Sequence, residues 1–523
     1  MKISLVDSSS IHPATSLVVS MKLLFALLLI TSAQAALPPG VWPQWRGDGT
    51  GVSNEKDLPL SWSDTKNVLW KEKVPGFGWS NPVVARGKVF ITTAVYEGQE
   101  QPLQKGPPAG EEPPEKVIQR IAMCFDAGTG KILWQRTVAE APPEQGNHLS
   151  NTWATETPVT DGERVFFMFG NVGVFCFDYE GKPLWQHKLE PLKVFSNWGT
   201  ASSPVLDGDK LFLVCDNNEQ SYLMALDTKT GKQAWREERQ ERSTWSTPLV
   251  WRNTQRTELV VMGSSYIRGY DPKNGRELWR LASENGGNSG RGGGGPGGPP
   301  PGGSKGKSKG KPPEVPNLNA PPPPPPGGMS KGKGKGGPPG SPGSAAGKPK
   351  SGGCKASPTA TPDLLYVGMS TRKSEGELGP MWAIKPGASG DISLREGQTS
   401  SKDIAWFRED AGSHFTSPLV YGGLLYVFTG QQGHPLNVFD ALTGDTVYQE
   451  PLGDTRSNMG SPFAYEGKVA CVDTAGTAFV IQAGREFKLL ETNDVEAMTW
   501  ASPALANGHL YLRTASTLYC IGK

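Results

Sequence analysis

The chain has 523 residues and a near-even charge balance, 53 Lys and Arg against 51 Asp and Glu, for a net of +2. Nothing in that balance marks a nucleic-acid partner, and none is expected. No apolar run beyond the N-terminal region is long enough to cross a bilayer, so no transmembrane segment is expected once that region is removed.

Residues 1–35 read as a signal peptide region. Met21 to Ala35 has a Lys22 n-region, a short apolar run and an Ala33-x-Ala35 cleavage site, with Met21 as an alternative start. No Cys stands at the cleavage site, which argues against a lipid anchor. The expected compartment is periplasmic or extracellular, with the protein secreted. Residues 36–66 form an N-terminal cap, irregular and Gly-spaced, running from Trp42-Pro-Gln-Trp45 to Trp62. Its Arg46-Gly-Asp48 matches a cell-adhesion tripeptide and is read as a chance match.

One phrase then recurs: Asp126-Ala-Gly-Thr-Gly-Lys-Ile-Leu-Trp134, with copies ending at Trp185, Trp235, Trp279 and Tyr448. Asp opens a turn by accepting a backbone N–H, and Gly supplies the positive φ that closes it. Apolar residues on both sides make this a strand–turn–strand unit ended by an aromatic. Each unit begins just before a Ser/Thr-x-Pro, giving starts at Trp79, Trp153, Trp198, Trp245, Ser357, Phe415, Met459 and Trp500. Four short strands recurring every 40–50 residues is the signature of a propeller blade. The last unit stops at its third strand, Leu518 to Gly522, and the orphan strand around Trp70 supplies the missing fourth.

The predicted fold is therefore all-β: an eight-bladed β-propeller of four-stranded antiparallel blades, the N-terminal strand closing the last blade. The closing strand and blades one to four occupy residues 67–285, and blades five to eight residues 357–523. Weak copies in blades six and seven leave a seven-bladed ring as the alternative. Between the two halves, residues 286–356 form a Gly/Pro/Lys-rich insert with almost nothing apolar to bury, the composition of a disordered segment. Residues 290–355 carry eleven Lys and Arg against Glu314, a net of +10 that leaves −8 for the rest. The insert reads first as a solvated linker, and second as a cationic tether to an anionic surface such as lipid headgroups or wall polymers.

The six cysteines predict no disulfide framework. Cys124, Cys176 and Cys520 fall at one repeat position that other copies fill with Ala, Gly or Val, which marks a packing slot. Cys215 and Cys471 lie on strands, and Cys354 falls within the insert.

The repeated phrase, the Ser/Thr-x-Pro starts and the Trp42-Pro-Gln-Trp45 to Asn67-Val-Leu-Trp70 opening resemble the pyrroloquinoline-quinone-like propellers. That family includes quinoprotein alcohol dehydrogenases and the propeller lipoprotein of outer-membrane β-barrel assembly. The resemblance covers roughly residues 42–285 and 356–522 and implies the fold. For the dehydrogenases it implies a quinone on a Trp floor under a disulfide of adjacent cysteines, with Ca²⁺ held by Glu, Asn and Asp. This chain has no adjacent cysteines and no recognisable ligand set, so it is closest in type to the non-catalytic envelope propellers. It also lacks the lipid-anchoring Cys of the assembly lipoprotein.

The residues before each first strand should gather at one channel mouth. They give the candidate ligand-binding set Trp79, Trp153, Trp198, Trp245, Phe415 and Trp500, with Asn197 and His414 beside them, and Asn147, His148, Asn151 and Met459 nearby. A purely structural role, wedging blades and plugging the channel, is the competing reading. The Trp residues at 70, 134, 185, 235, 279 and 406 should pack between blades. No catalytic or metal-binding residue is assigned, since no metalloprotease, nucleophile-elbow or phosphate-loop motif is present. The sequence therefore leads to a secreted, non-catalytic binding or scaffold protein at the cell envelope, whose partner is an envelope protein or polymer, with no cofactor expected. Its alternatives are a pyrroloquinoline-quinone-dependent oxidoreductase using Ca²⁺, and a carbohydrate- or peptide-binding module using the mouth Trp residues.

Overall fold

The computed structural model describes residues 37–103, 109–191, 193–283, 354–369, 378–413, 415–429, 436–453, 455–457 and 460–523. The signal peptide region and insert residues 286–353 lie outside the described residues. Eight sheets are present, each built on four antiparallel strands. Blade one shows the plan: Val83–Ala85 innermost, then Lys88–Val95, Ile118–Asp126 and, outermost, Ile132–Ala141. The first three strands are buried almost throughout, whereas the outer strand is mostly exposed. Blades stack face to face, so inner strands need apolar residues on both sides, and their sequences run apolar without strict alternation.

The ring closes where the sequence places the closure. Val68–Lys73 pairs antiparallel with Thr517–Ile521, Trp70 opposite Cys520, so the first and last strands of the repeat share one blade. Blade four gains a short parallel strand, Gly390–Asp391, on its outer edge, and blade seven gains Val52–Ser53 from the cap on its inner edge.

Two bonding patterns hold neighbouring blades together. In the first, a Trp of one blade docks on the turn of the next. The indole Nε1 of Trp70, Trp134, Trp185, Trp235 and Trp406 donates to the carbonyls of Ala127, Tyr179, Thr228, Pro272 and Ala441 respectively. The turn is set by Asp126, whose Oδ1 accepts both the Thr129 amide and hydroxyl at 2.8 and 2.7 Å. That hydroxyl is the main reason the Asp126 carboxyl is held below its ordinary range. Gly130, at φ 75°, faces the Trp70 ring so closely that a Cβ there would lie 2.6 Å from it. The Gly of the phrase thus serves the turn and the neighbouring indole together. Trp279 differs: it is fully buried and donates to Glu258 of its own blade, with the fifth strand of blade four alongside.

The second pattern explains the proline motif and refines its reading. The hydroxyl that matters stands directly before the proline. Thr157, Ser203, Thr247, Ser357, Ser417, Ser461 and Ser502 each accept the backbone N–H of the corresponding residue one blade earlier, at 2.7–3.2 Å. The circle is completed by Asn81, whose Oδ1 accepts the Ser502 N–H at 3.0 Å. Eight buried amides are satisfied by eight neighbouring side chains, and the proline that follows removes one further donor.

The cap runs along the inner strands of the ring. It pairs Trp42 with Val84, gives the Pro43 carbonyl to Thr160 N and the Gln44 side chain to Leu206 N. It then sends Arg46 to the Pro418 carbonyl, Gly51 to Ala464 and Glu55 to Gly508. It therefore touches the inner strands in ring order. Arg46 is buried among them, and burial lowers its pKa to about 9. The guanidinium of the adhesion-like tripeptide is thus a structural group.

All six cysteines are free, and all but half-buried Cys215 are buried. Burial raises every one of these thiols, Cys124 to about 12, the state of packing residues. Within the span read as the insert, Cys354 is buried and donates Sγ to the Gly263 carbonyl. Its segment looked disordered by composition because the neighbouring Gly, Ser and Lys mask a single packing residue.

Candidate ligand-binding site at the channel mouth

The inner strands all run in one direction, so the loops entering them meet at one end of the channel. Aligning the blades on their prolines shows how the mouth is built. Trp79, Trp245, Phe415 and Trp500 each stand three residues before the proline, and so does Lys355 before Pro358 in blade five. Trp153 and Trp198 stand five and six residues before theirs, on longer loops.

The mouth has two unlike sides. On the side where blades eight and one meet, Trp79 and Trp500 stack at 5.4 Å with planes 12° apart, over Met498 and Ala515. Trp79 is only 3% exposed, and its Nε1 donates to the Ser150 carbonyl at 2.9 Å. Beneath them Arg513 crosses from blade eight to blade one, donating Nη1 to Ser80 Oγ and the Thr92 carbonyl. Burial lowers the Arg513 pKa to about 9. A Cβ on Gly78 would collide with this guanidinium, so the glycine leaves room for it.

On the opposite side lies an aromatic box. Trp198 and Trp245 are 5.2 Å apart, tilted by 38°. The Lys355 Nζ lies 4.9 Å from the Trp198 ring centre and 4.1 Å from that of Phe415. Trp245 anchors the box by donating Nε1 to the Gly199 carbonyl and its amide to the Cys354 carbonyl. All four side chains are half-buried. Burial lowers the Lys355 pKa to about 8, while the two ring faces favour its charged form.

Trp198 reaches the box through a short 3-10 turn, Phe195–Asn197, with Ser196 and Asn197 both in the left-handed region at φ 49° and 53°. Two consecutive non-glycine residues there mark local strain held by neighbours. Those neighbours come from the long loop of blade one. The Gly110 amide donates to the Ser196 carbonyl, Glu111 N to the Asn147 carbonyl, and Asn197 Nδ2 to Glu112 Oε1. Asn151 Nδ2 donates to the Trp198 carbonyl, and His148 meets the Trp198 ring edge-on at 6.3 Å.

The candidates therefore divide. Trp198, Trp245 and Phe415 come together, with Asn197 as their support. Trp79 and Trp500 pair elsewhere on the rim. Trp153 stands apart, under the Arg120 guanidinium at 5.8 Å. His414 and Met459 lie outside the described residues. Sequence reasoning missed Lys355, although counting back three residues from Pro358 would have found it.

The residues do not fit a calcium-bound quinone. Among the described residues no group of three or more His, Cys, Asp or Glu is placed to hold a metal ion, and no two cysteines are adjacent. The Trp79 face that would serve as a floor is already covered by Trp500. Among the described residues no helix is long and apolar enough to cross a membrane.

A family model described as "Outer membrane protein assembly factor BamB" matches residues 119–294. No curated protein matches the chain. Among solved structures the chain is similar to BamB from Moraxella catarrhalis, at 13% identity and a TM-score of 0.46 over 82% of this chain and 98% of that one. It is also similar to quinohemoprotein alcohol dehydrogenase from Comamonas testosteroni, at 12% identity and a TM-score of 0.49 over 92% and 81%. A computationally designed protein, Ika8, aligns at 10% identity and a TM-score of 0.43 over 81% and 100%. In its repeated turn phrase, its eight blades and the family match over residues 119–294, the chain is similar to the pyrroloquinoline-quinone-like β-propellers.

Proposed function

We propose that this propeller is a non-catalytic binding protein of the cell envelope that engages a partner at its channel mouth. The observation that carries this reading is the half-buried box of Trp198, Trp245, Phe415 and Lys355 among the loops that enter the inner strands. Concave apolar surface with a few fixed polar groups is what binding sites are made of. The family match to an outer-membrane assembly factor and the leader-like residues 21–35 support a periplasmic or secreted setting. No cofactor is assigned, because the mouth residues lack the ligand set that a quinone and its metal need. The basic insert is a secondary contact to an anionic surface in this reading.

The test places a photocrosslinking residue at Asn147, beside the box, or at Lys71, on the outer rim, and exposes the purified full chain to envelope extract. A defined partner crosslinked from position 147, and lost on Trp245→Ala, is expected. Crosslinks confined to position 71, or stoichiometric quinone uptake with Ca²⁺ and alcohol turnover, would overturn the reading.

A further inference from the structure

We infer that a cleft between blades two and three, separate from the aromatic box, takes the primary ammonium of a lysine side chain on a partner polypeptide. This goes beyond the reading above, which concerns the channel mouth. The first observation is a carboxylate without compensation. Glu156 stands two residues before Pro158 and is only 2% exposed. Other buried acids are accounted for. Asp216, Glu241 and Glu258 pair with Arg239, Arg268 and Arg256. Asp473 accepts the amides of Arg456, Ala475 and Thr477. Among the described residues Glu156 has no salt bridge, and its Oε1 accepts no hydrogen bond. Arg120 is near enough to feel this charge, but its guanidinium lies over the Trp153 ring, 5.8 Å from the ring centre. Burial raises the Glu156 pKa, against the Thr200 hydroxyl, which favours the charged form. A buried carboxylate in that condition takes up either a proton or a cation.

The second observation is the space beside it. Met168, Leu189, Val194 and Val214 give aliphatic walls to an open cleft of about 450 Å³, with exposed Glu190 at its edge. Gly170 and Thr200 line the same cleft and lie against the Glu156 carboxylate, since a Cβ on Gly170 would collide with both Oε1 and Thr200 Oγ1. The carboxylate therefore stands at the wall of the cleft. A lysine packs its methylenes on the aliphatic walls while its ammonium meets the Thr200 oxygen and the carboxylate. The third observation is charge. The chain outside residues 290–355 carries a net of −8, which draws basic partners. A hard metal ion is disfavoured, because it needs several converging oxygens and, among the described residues, no group of three or more His, Cys, Asp or Glu is placed to hold one.

The test titrates the full chain with labelled Gly/Ser decapeptides that carry lysine, norleucine or Nε-acetyl-lysine at one central position. The lysine peptide should bind roughly tenfold more tightly than the other two, the effect of one charge-assisted hydrogen bond. Glu156→Gln keeps the shape of the side chain and removes its charge, so the lysine preference should fall to about one. Ala201→Leu fills the cleft from a half-buried wall position and leaves the carboxylate in place, and it should also abolish the preference. Circular dichroism checks that each variant folds, and either one that does so reads the site. Equal binding of the three peptides by the native chain overturns the inference, and so does a lysine preference that survives either substitution. Absence of binding by all three overturns it too. Binding of n-butylammonium that Glu156→Gln abolishes, with no peptide binding, overturns the polypeptide source and leaves a free amine as the ligand. The reading of the mouth fails separately, when the crosslinked partner no longer depends on Trp245.

Discussion

The two sides of the channel mouth use the same residue type for different ends. Between blades eight and one, Trp79 and Trp500 are stacked flat, with Trp79 almost wholly buried and Arg513 clamped beneath them. Between blades three and six, Trp198 and Trp245 are tilted and half-buried, and Trp198 also meets a lysine. The first arrangement spends its aromatic surface on the blade that the two chain ends complete. The second leaves surface and charge at the opening. Spacing from the proline does not separate them, since Trp79, Trp245 and Trp500 share one slot; what differs is the neighbour in the adjacent blade.

Stability measurements test that contrast most strongly. Trp79→Ala should cost about 3–5 kcal/mol in urea unfolding, the range for removing a buried aromatic from a packed core. Trp198→Ala should cost about 1–2 kcal/mol, because the side chain is only half-buried. Equal losses at the two positions would mean that both sides are structural.

The ring of hydroxyls offers a control in which the two sides should behave alike. Ser502 at the seam accepts the Ser461 amide, and Ser357 beside the box accepts the Thr247 amide. Each Ser→Ala change strands one buried N–H, at about 1–3 kcal/mol. Similar losses in urea midpoint are expected. A much larger loss at Ser502 would show that the seam is the weak joint of the ring and not simply one of eight equivalent joints.

Much of this architecture was legible because it repeats. The Asp-to-Gly turn and its closing Trp announce the blade, and the incomplete copy at Trp70 announces closure, since each rests on local chemistry that five or more copies display. The hydroxyl before the proline was legible only in part. Ser80-Asn81-Pro82 suggests a hydroxyl two residues ahead, but Glu156-Thr157-Pro158 shows that the adjacent residue makes the bond. The path of the cap was not legible, because its contacts come from irregular backbone and from single residues such as Gln44 and Glu55. Nor was the approach of Trp198 to Trp245, which depends on left-handed Ser196 and Asn197, where no glycine signals a turn. Lys355 was hidden by composition: it is the last lysine of a lysine-rich stretch, and only its distance from Pro358 distinguishes it.

The smallest expected effect bears directly on that lysine. Burial lowers the folded-state pKa of Lys355 to about 8, from the ordinary 10.5 that it keeps when unfolded. Between those values the unfolded chain binds more protons than the folded one, so this group makes the native state gain stability as pH rises from 8 to 10.5. Below pH 8 the penalty for the buried charge is present in full. Lys355→Met removes the group, while Arg46, Arg513 and the tyrosines titrate alike in both proteins and cancel in the difference. The variant should therefore be the more stable protein at pH 7, and its advantage in urea midpoint should shrink steadily between pH 8 and 10.5. The cation–π contacts with Trp198 and Phe415 oppose this trend by favouring the charged form. A gap that stays flat with pH would show that the surroundings of the ammonium offset its desolvation completely.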